Sequence, residues 1–283
     1  IITTSCTYQA SLEGFEKYYS DKNDINPKEL LFECVRVAFR AREKYYQIHG
    51  SDNKKYIGIS IGPYGATLAD GSEYTGNYAD SMTFGELKLF YKKRIELFLE
   101  AIDEEEDVIF IVETIPCSKE VLALLEILLF EKRSLPFFLS VSGHPHKKGC
   151  IASGEPLNVV CSEVNSLYLK EFHLYAQSLL VAFGINCTPP GQLKSLISIA
   201  TKGLPYHRIL CYPNSGESWD SDSHSWSGKY PFDDLSEEKR ESYSFVDGIP
   251  LWYKSGARIF GGCCRTYPED IKKIVEILPT LSD

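Results

Sequence analysis

Two adjacent cysteines near the end of the chain, in Gly261-Gly262-Cys263-Cys264-Arg265-Thr266, are the residues best suited to chemistry. They close a strand-like run, residues 257–260, and directly precede a helix. A third cysteine, Cys187, closes another strand-like run, residues 179–186. Three thiols at the ends of two strands can converge on one metal ion. Structural zinc sites are usually closed by four protein ligands, whereas catalytic ones keep a position open. Three thiolates leave that position open, which points to an enzyme that activates a substrate there. A soft three-sulfur site suits a thiol substrate, because zinc holds a thiolate well and drives its deprotonation. On spacing alone a second reading stays open: there is no Cys-x-x-Cys pair, and a Cys-Cys dipeptide also fits thiols packed as small apolar groups.

Strand and helix signals alternate along the chain that must position these thiols. Residues 1–6, 56–62, 108–112, 136–141, 178–185, 207–212 and 257–260 read as seven strands. Between them, Asn26-Pro27-Lys28-Glu29 marks a helix start, with Leu31, Val35 and Ala38 at helical spacing. Thr83-Phe84-Gly85-Glu86 is a capping-box pattern, and Leu87, Tyr91, Ile95, Phe98 and Ile102 form the apolar face behind it. Residues 121–130 and 192–201 read as further helices. Thr266-Tyr267-Pro268-Glu269 is a second capping-box pattern ahead of Ile271, Ile274, Val275 and Leu278.

Apolar strands separated by amphipathic helices imply an α/β fold with a parallel sheet covered by helices. Seven such units favour a (β/α)8 barrel whose first unit is absent from this sequence. That fits a start, Ile1-Ile2-Thr3-Thr4, that already reads as a strand. An open doubly wound sheet is the alternative, but no Gly-x-Gly-x-x-Gly follows the first strand. In a barrel every strand points its C-terminal end to one rim, so Cys187, Cys263 and Cys264 would share a face. Neighbouring residues on a regular strand point to opposite sides, so both Cys263 and Cys264 can reach one ion only if the chain bends, which Gly261-Gly262 permits. Residues 216–247, rich in Ser, Asp and Trp, read as a long loop on that rim.

Composition narrows the function classes. The 283 residues carry a formal net charge of −9, which argues against a nucleic-acid partner. The longest apolar run, residues 121–130, contains Glu126 and is too short to span a bilayer. Nine cysteines is an odd number, and no signal peptide precedes them, which points to free, buried or metal-bound thiols in a reducing cytoplasm. Cys34, in a helical pattern, and Cys211, in a strand pattern, read as packed apolar groups.

The chain resembles the homocysteine S-methyltransferase family, especially the plant and fungal enzymes that use S-methylmethionine or S-adenosylmethionine. The resemblance runs almost end to end. It rests on Tyr8-Gln9-Ala10-Ser11, on Ser60-Ile61-Gly62-Pro63-Tyr64-Gly65-Ala66 and on Leu68-Ala69-Asp70-Gly71-Ser72-Glu73-Tyr74-Thr75-Gly76. It continues through Glu113-Thr114-Ile115-Pro116, Gly184-Ile185-Asn186-Cys187-Thr188-Pro189-Pro190, Tyr212-Pro213-Asn214-Ser215-Gly216-Glu217 and the final Cys-Cys motif.

The resemblance implies one barrel domain over residues 1–283, with Cys187, Cys263 and Cys264 as ligands of a zinc cofactor and homocysteine thiolate in the fourth position. That thiolate would take a methyl group directly from a sulfonium donor, without cobalamin. It implies a contact from Glu113 to the homocysteine amino group, with Thr114 beside it; a strand-end acid is the plainer role for Glu113. Asn186, Asn214, Ser215, Gly216 and Glu217 would line the amino-acid site, or serve only as turn residues. Tyr64, Trp219 and Trp226 are aromatic candidates for holding a sulfonium. Two departures stand out: the family's opening strand with its acidic Gly-Gly loop has no counterpart here, and Ser142-Gly143-His144-Pro145-His146 differs from the family pattern. His144 and His146 fit a solvated loop better than a second metal site. The competing functions are a non-catalytic zinc or thiol-switch protein and a betaine- or cobalamin-type methyltransferase.

Overall fold

Seven strands form one sheet in which every neighbouring pair is parallel and the strand order follows the chain. They are β1 (Ile2–Thr4), β2 (Tyr56–Ile61), β3 (Val108–Ile115), β4 (Phe137–Val141), β5 (Leu180–Asn186), β6 (Arg208–Tyr212) and β9 (Ala257–Phe260). β1 and β9 are the two edges. The computed structural model describes residues 1–21, 24–130, 135–170, 179–220, 225–227 and 244–281. Within them lie nine α-helices: α1 (Leu12–Tyr18), α2 (Pro27–His49), α3 (Tyr64–Leu68), α4 (Phe84–Ile102), α5 (Ser118–Phe130), α6 (Leu157–Lys170), α7 (Pro190–Gly203), α8 (Ile249–Lys254) and α9 (Pro268–Ile277).

Side-chain alternation divides the core into two layers. Ile57, Ile59 and Ile61 on β2, Val108, Phe110 and Val112 on β3, and Phe137, Leu139 and Val141 on β4 pack with the helices in the large outer cluster. The alternate positions, Ile109, Ile111, Phe138, Ala182 and Leu210, form a separate inner cluster. Ile2 on one edge strand and Ile259 on the other both pack against it, so the sheet curls around this inner layer. Cys211 faces outward and is fully buried with the helices, whereas Cys34 on α2 is only partly buried.

The helix signals hold with local adjustments. Asn26 caps α2 by accepting from the Lys28 and Glu29 amides, and Thr83 and Glu86 form the reciprocal box of α4. Leu87, Tyr91, Ile95, Phe98 and Ile102 are all buried. At the last helix the cap is shifted by one residue. Asp270, not Glu269, accepts from the backbone, at Tyr267 N–H, while the Thr266 hydroxyl turns to the Cys263 carbonyl at 2.8 Å. Val275, expected on the apolar face, is half exposed, because α9 turns only Ile274 fully into the core. β3 runs three residues past its expected end, through a register shift between Val112 and Ile115 that brings Glu113 and Thr114 into the strand. Residues 216–247 are not loop throughout. They contain an antiparallel hairpin, β7 (Ser218–Asp220) and β8 (Ser225–Ser227), that sets Trp219 opposite Trp226, while 221–224 and 228–243 lie outside the described residues. No helix among the described residues is long and apolar enough to cross a membrane.

Candidate metal centre

The chain leaves β5 through Asn186 and turns sharply at Cys187, which takes a left-handed backbone conformation (φ 47°). It leaves β9 at Phe260 and bends through Gly261-Gly262, so that Cys263 and Cys264 lie beyond the strand and both can face inward. Gly262 is required there, since a Cβ at that position would meet the Thr266 hydroxyl at 2.3 Å. Backbone hydrogen bonds lace these turns to the end of β6: Cys187 N–H to Tyr212 O (3.2 Å), Cys263 N–H to Pro213 O (2.8 Å) and Ser215 N–H to Cys264 O (3.0 Å).

The result brings Cys187, Cys263 and Cys264 together, their sulfurs all within 4.8 Å of one another. Cys187 and Cys264 sulfurs are 3.6 Å apart, and Cys263 and Cys264 sulfurs 4.0 Å apart. A tetrahedral zinc with bonds of about 2.3 Å needs sulfur–sulfur edges of about 3.8 Å, so the donor set fits zinc with a fourth position left over. Among the described residues this is the one cluster of three or more side chains able to hold a metal. The thiols share protons unequally. Cys264 is pulled far down because Cys187 and Cys263 donate to its sulfur. Cys187 is pushed up by its contacts with the other two thiols and by burial. A cation is the natural partner for all three as thiolates.

Around the sulfurs, hydrogen bonds order the rim. Asn186 is fully buried; its Oδ1 accepts from Thr114 N–H (2.8 Å) and Ser140 Oγ (2.9 Å), and its Nδ2 donates to Thr114 Oγ1 (2.7 Å). Asn186 thus ties the end of β5 to β3 and β4. Thr114, itself left-handed (φ 63°), lies beside the Tyr8 phenol. Glu113 receives the Ser60 hydroxyl and faces the Tyr212 phenol, which is bonded to Ser140 Oγ at 2.6 Å. Burial pushes the Glu113 carboxyl up. Asn214 Oδ1 is buried and has no hydrogen-bond partner among the described residues. Ser215 and Glu217 form a small turn, and Glu217 pairs with Arg265 at 2.7 Å, so its cation is supplied by this chain itself. Gly216 takes a positive φ of 109° between them.

Five polar residues of this rim, Tyr8, Ser60, Tyr74, Ser140 and Tyr212, have no role in the sequence reading. Tyr8 and Tyr74 are pushed up by burial and, after it, by the charge of Cys187. Four of the five sit inside the motifs quoted for the resemblance, which is the signal that could have found them. Tyr8 is held by its backbone: Arg94 donates to the carbonyls of Thr7 (2.8 Å), Tyr8 (2.6 Å) and Gly62 (2.9 Å), and a Cβ on Gly62 would strike the Tyr8 ring at 2.6 Å. Tyr64 belongs elsewhere, packed on Tyr78 and Phe90. His144 Nδ1 accepts the His146 and Lys147 amides, both at 3.0 Å, which makes that segment a hydrogen-bonded turn. The Trp219 and Trp226 side chains lie outside what the structure describes.

Comparison with known proteins identifies the family. The family described as Homocysteine S-methyltransferase matches residues 1–278. A betaine-homocysteine S-methyltransferase of Drosophila melanogaster is 37% identical over 280 residues, covering 97% of this chain and 77% of the relative. Homocysteine S-methyltransferase 2 of Arabidopsis thaliana is 33% identical over 96% of this chain and 77% of its own length. Among solved structures, the metallated form of the homocysteine methyltransferase MmuM from Escherichia coli superposes with a TM-score of 0.71. It is 28% identical, over 96% of this chain and 78% of that one. The chain belongs to the homocysteine S-methyltransferase family, enzymes that methylate homocysteine.

Proposed function

We propose that this chain transfers a methyl group from a sulfonium donor, S-methylmethionine or S-adenosylmethionine, to homocysteine, giving methionine, with zinc held by Cys187, Cys263 and Cys264. The observation that carries the reading is the sulfur triangle, whose 3.6 and 4.0 Å edges suit one tetrahedral ion with an open corner. Zinc, when bound, supplies the Lewis acid that makes the homocysteine thiol a thiolate near neutral pH. Glu113, ordered by Ser60 and Tyr212, accepts from the homocysteine ammonium. Asn214 Oδ1 offers a second acceptor, and Ser215 and Gly216 face the amino-acid carboxylate. Asn186 keeps Thr114 in place, and Glu217 fixes Arg265 next to Cys264.

In the transfer step the thiolate lone pair forms the new S–CH3 bond while the methyl–sulfonium bond breaks. Its electrons return to the donor sulfur, which leaves as a neutral sulfide. No proton has to reach the leaving group, so the protein's contribution is alignment. The sulfonium assignment rests on the motifs at 184–190 and 212–217; betaine, named in the Drosophila relative, is the competing donor. The same reading makes the curled sheet part of a (β/α)8 barrel, with an eighth strand between β9 and β1. It places the protein in the reducing cytoplasm, where nine free thiols are stable.

The test combines metal analysis with assays of homocysteine methylation from S-methylmethionine, S-adenosylmethionine and betaine. One zinc per chain and turnover with a sulfonium support the proposal. Full turnover by metal-free protein would end the zinc mechanism, and turnover with betaine alone would end the donor assignment.

A further inference from the structure

Glu73 has features that the rest of the site does not explain. It sits in the 3-10 turn Ser72–Tyr74, in the connection that follows β2, and is only 8% exposed. Its Oε2 is buried and has no hydrogen-bond partner among the described residues. The groups that act on its carboxyl besides burial are its own backbone and Asp70, and neither is a cation. Two other buried carboxylates are satisfied, while Glu163 Oε2 on α6 also lacks a hydrogen-bond partner among the described residues. Glu113 has Ser60 and Tyr212, and Glu120 accepts from Tyr64 N–H, Tyr78 and Tyr91. A buried carboxylate with no partner is costly, so the missing counter-charge points to a ligand.

The surroundings say where that ligand lies. Glu73 and Tyr74 sit in the connection that leaves the C-terminal end of β2, on the same rim of the parallel sheet as the turns after β5 and β9 that carry the three cysteines, and the charges of Cys187 and Glu73 both act on the Tyr8 and Tyr74 phenols. A donor whose methyl group reaches the sulfurs across these phenols would set its far end against Glu73. S-methylmethionine and S-adenosylmethionine carry an α-ammonium group at that remove from the sulfonium. Betaine and dimethylsulfoniopropionate carry only a carboxylate there, which Glu73 would repel. Two amino acids meet in the proposed reaction, and two carboxylates are available, Glu113 near Cys264 for the acceptor and Glu73 for the donor.

We infer that Glu73 is the residue that selects the methyl donor, by pairing with the α-ammonium of an amino-acid sulfonium and disfavouring donors without one; this rests on the methyltransferase reading above. The test uses the zinc-loaded protein and compares kcat/KM for S-methylmethionine with that for dimethylsulfoniopropionate. In Glu73→Gln the ratio falls by about thirtyfold, the size of a lost charge-assisted hydrogen bond, chiefly through KM for the donor. Glu73→Asp restores part of it, and KM for homocysteine changes by less than about twofold in both, as expected when only the donor contact is lost. A purely structural role predicts equal losses with both donors and a lower unfolding temperature. A ratio that stays put, or a rise in the homocysteine KM alone, overturns the inference while leaving the methyltransferase reading intact. If the wild-type protein methylates homocysteine from no donor, that reading fails, and calorimetry of S-methylmethionine binding then decides on Glu73. Weaker binding to Glu73→Gln than to wild type upholds the inference, and equal or absent binding rejects it.

Discussion

Asn186 and Thr114 hold each other across an intervening strand, the Thr114 amide donating to Asn186 Oδ1 and Asn186 Nδ2 donating to the Thr114 hydroxyl. The pair ties the end of β5 to the end of β3, next to two residues, Thr114 and Cys187, in left-handed conformations that L-residues adopt at a cost of about 1–2 kcal/mol each. The amide side chain offsets that strain and sets the direction in which Cys187 leaves its strand. Replacing it by alanine leaves the Thr114 amide buried and unpaired, a loss of about 1–3 kcal/mol. Asn186→Ala should lower the urea midpoint and cut methyl transfer, with zinc still bound; unchanged activity would detach this pair from the site.

The sulfur triangle predicts a contrast between two thiols. Cys264→Ser should lose most of its zinc and its activity, because a hydroxyl is a far poorer ligand than a thiolate for this ion. Cys211→Ser alters a thiol on the outer face of β6 and should keep the metal while losing stability. Metal analysis of the two purified variants checks both halves.

Gly62 makes room for the Tyr8 ring. A methyl group there would sit 2.6 Å from both the ring and the Tyr8 carbonyl, so Gly62→Ala must displace Tyr8. The expected result is a destabilisation of about 1–3 kcal/mol, in the range of overpacking, and a raised KM for the donor, with the zinc content unchanged. Denaturant titration and steady-state kinetics measure the two effects separately.

Glu120 predicts a pH dependence of stability. Burial raises its carboxyl above the ordinary value of 4.5 despite donation from Tyr78 and Tyr91. The folded state therefore holds the proton more tightly than the unfolded chain. Its contribution is fully present below pH 4.5 and is lost as pH rises through the raised value. Glu120→Gln can keep the same bonds, with Oε1 accepting from Tyr64 N–H and Tyr91, and the amide donating to the Tyr78 oxygen. Stability measured from pH 4.5 upward should show the variant gaining on the wild type; parallel curves would refute the assignment.

Much of the scaffold is legible in the chain because local physics dominates it. Strands β2 and β3 alternate between residues for two buried layers, and α2 and α4 announce themselves by their caps. α6 is absent from the sequence reading although Leu157, Val160, Cys161, Val164 and Tyr168 carry a helical spacing, and all five are buried. α1 buries no residue, so it leaves no periodic trace to read.

The sequence by itself determined the α/β alternation, the strand ends that carry Cys187 and Cys263-Cys264, and the motifs that mark the family. These follow from residue type and short-range spacing. The tertiary structure decided which polar groups meet at the rim, because those contacts join segments far apart in the chain. It brought the Cys187 and Cys264 sulfurs to 3.6 Å across 77 positions and set Tyr8 beside Thr114. It gave Glu217 to Arg265 and left Glu73 Oε2 buried without a hydrogen-bond partner among the described residues. Whether a carboxylate is paired or free depends on what folds against it, and only the packed chain fixes that.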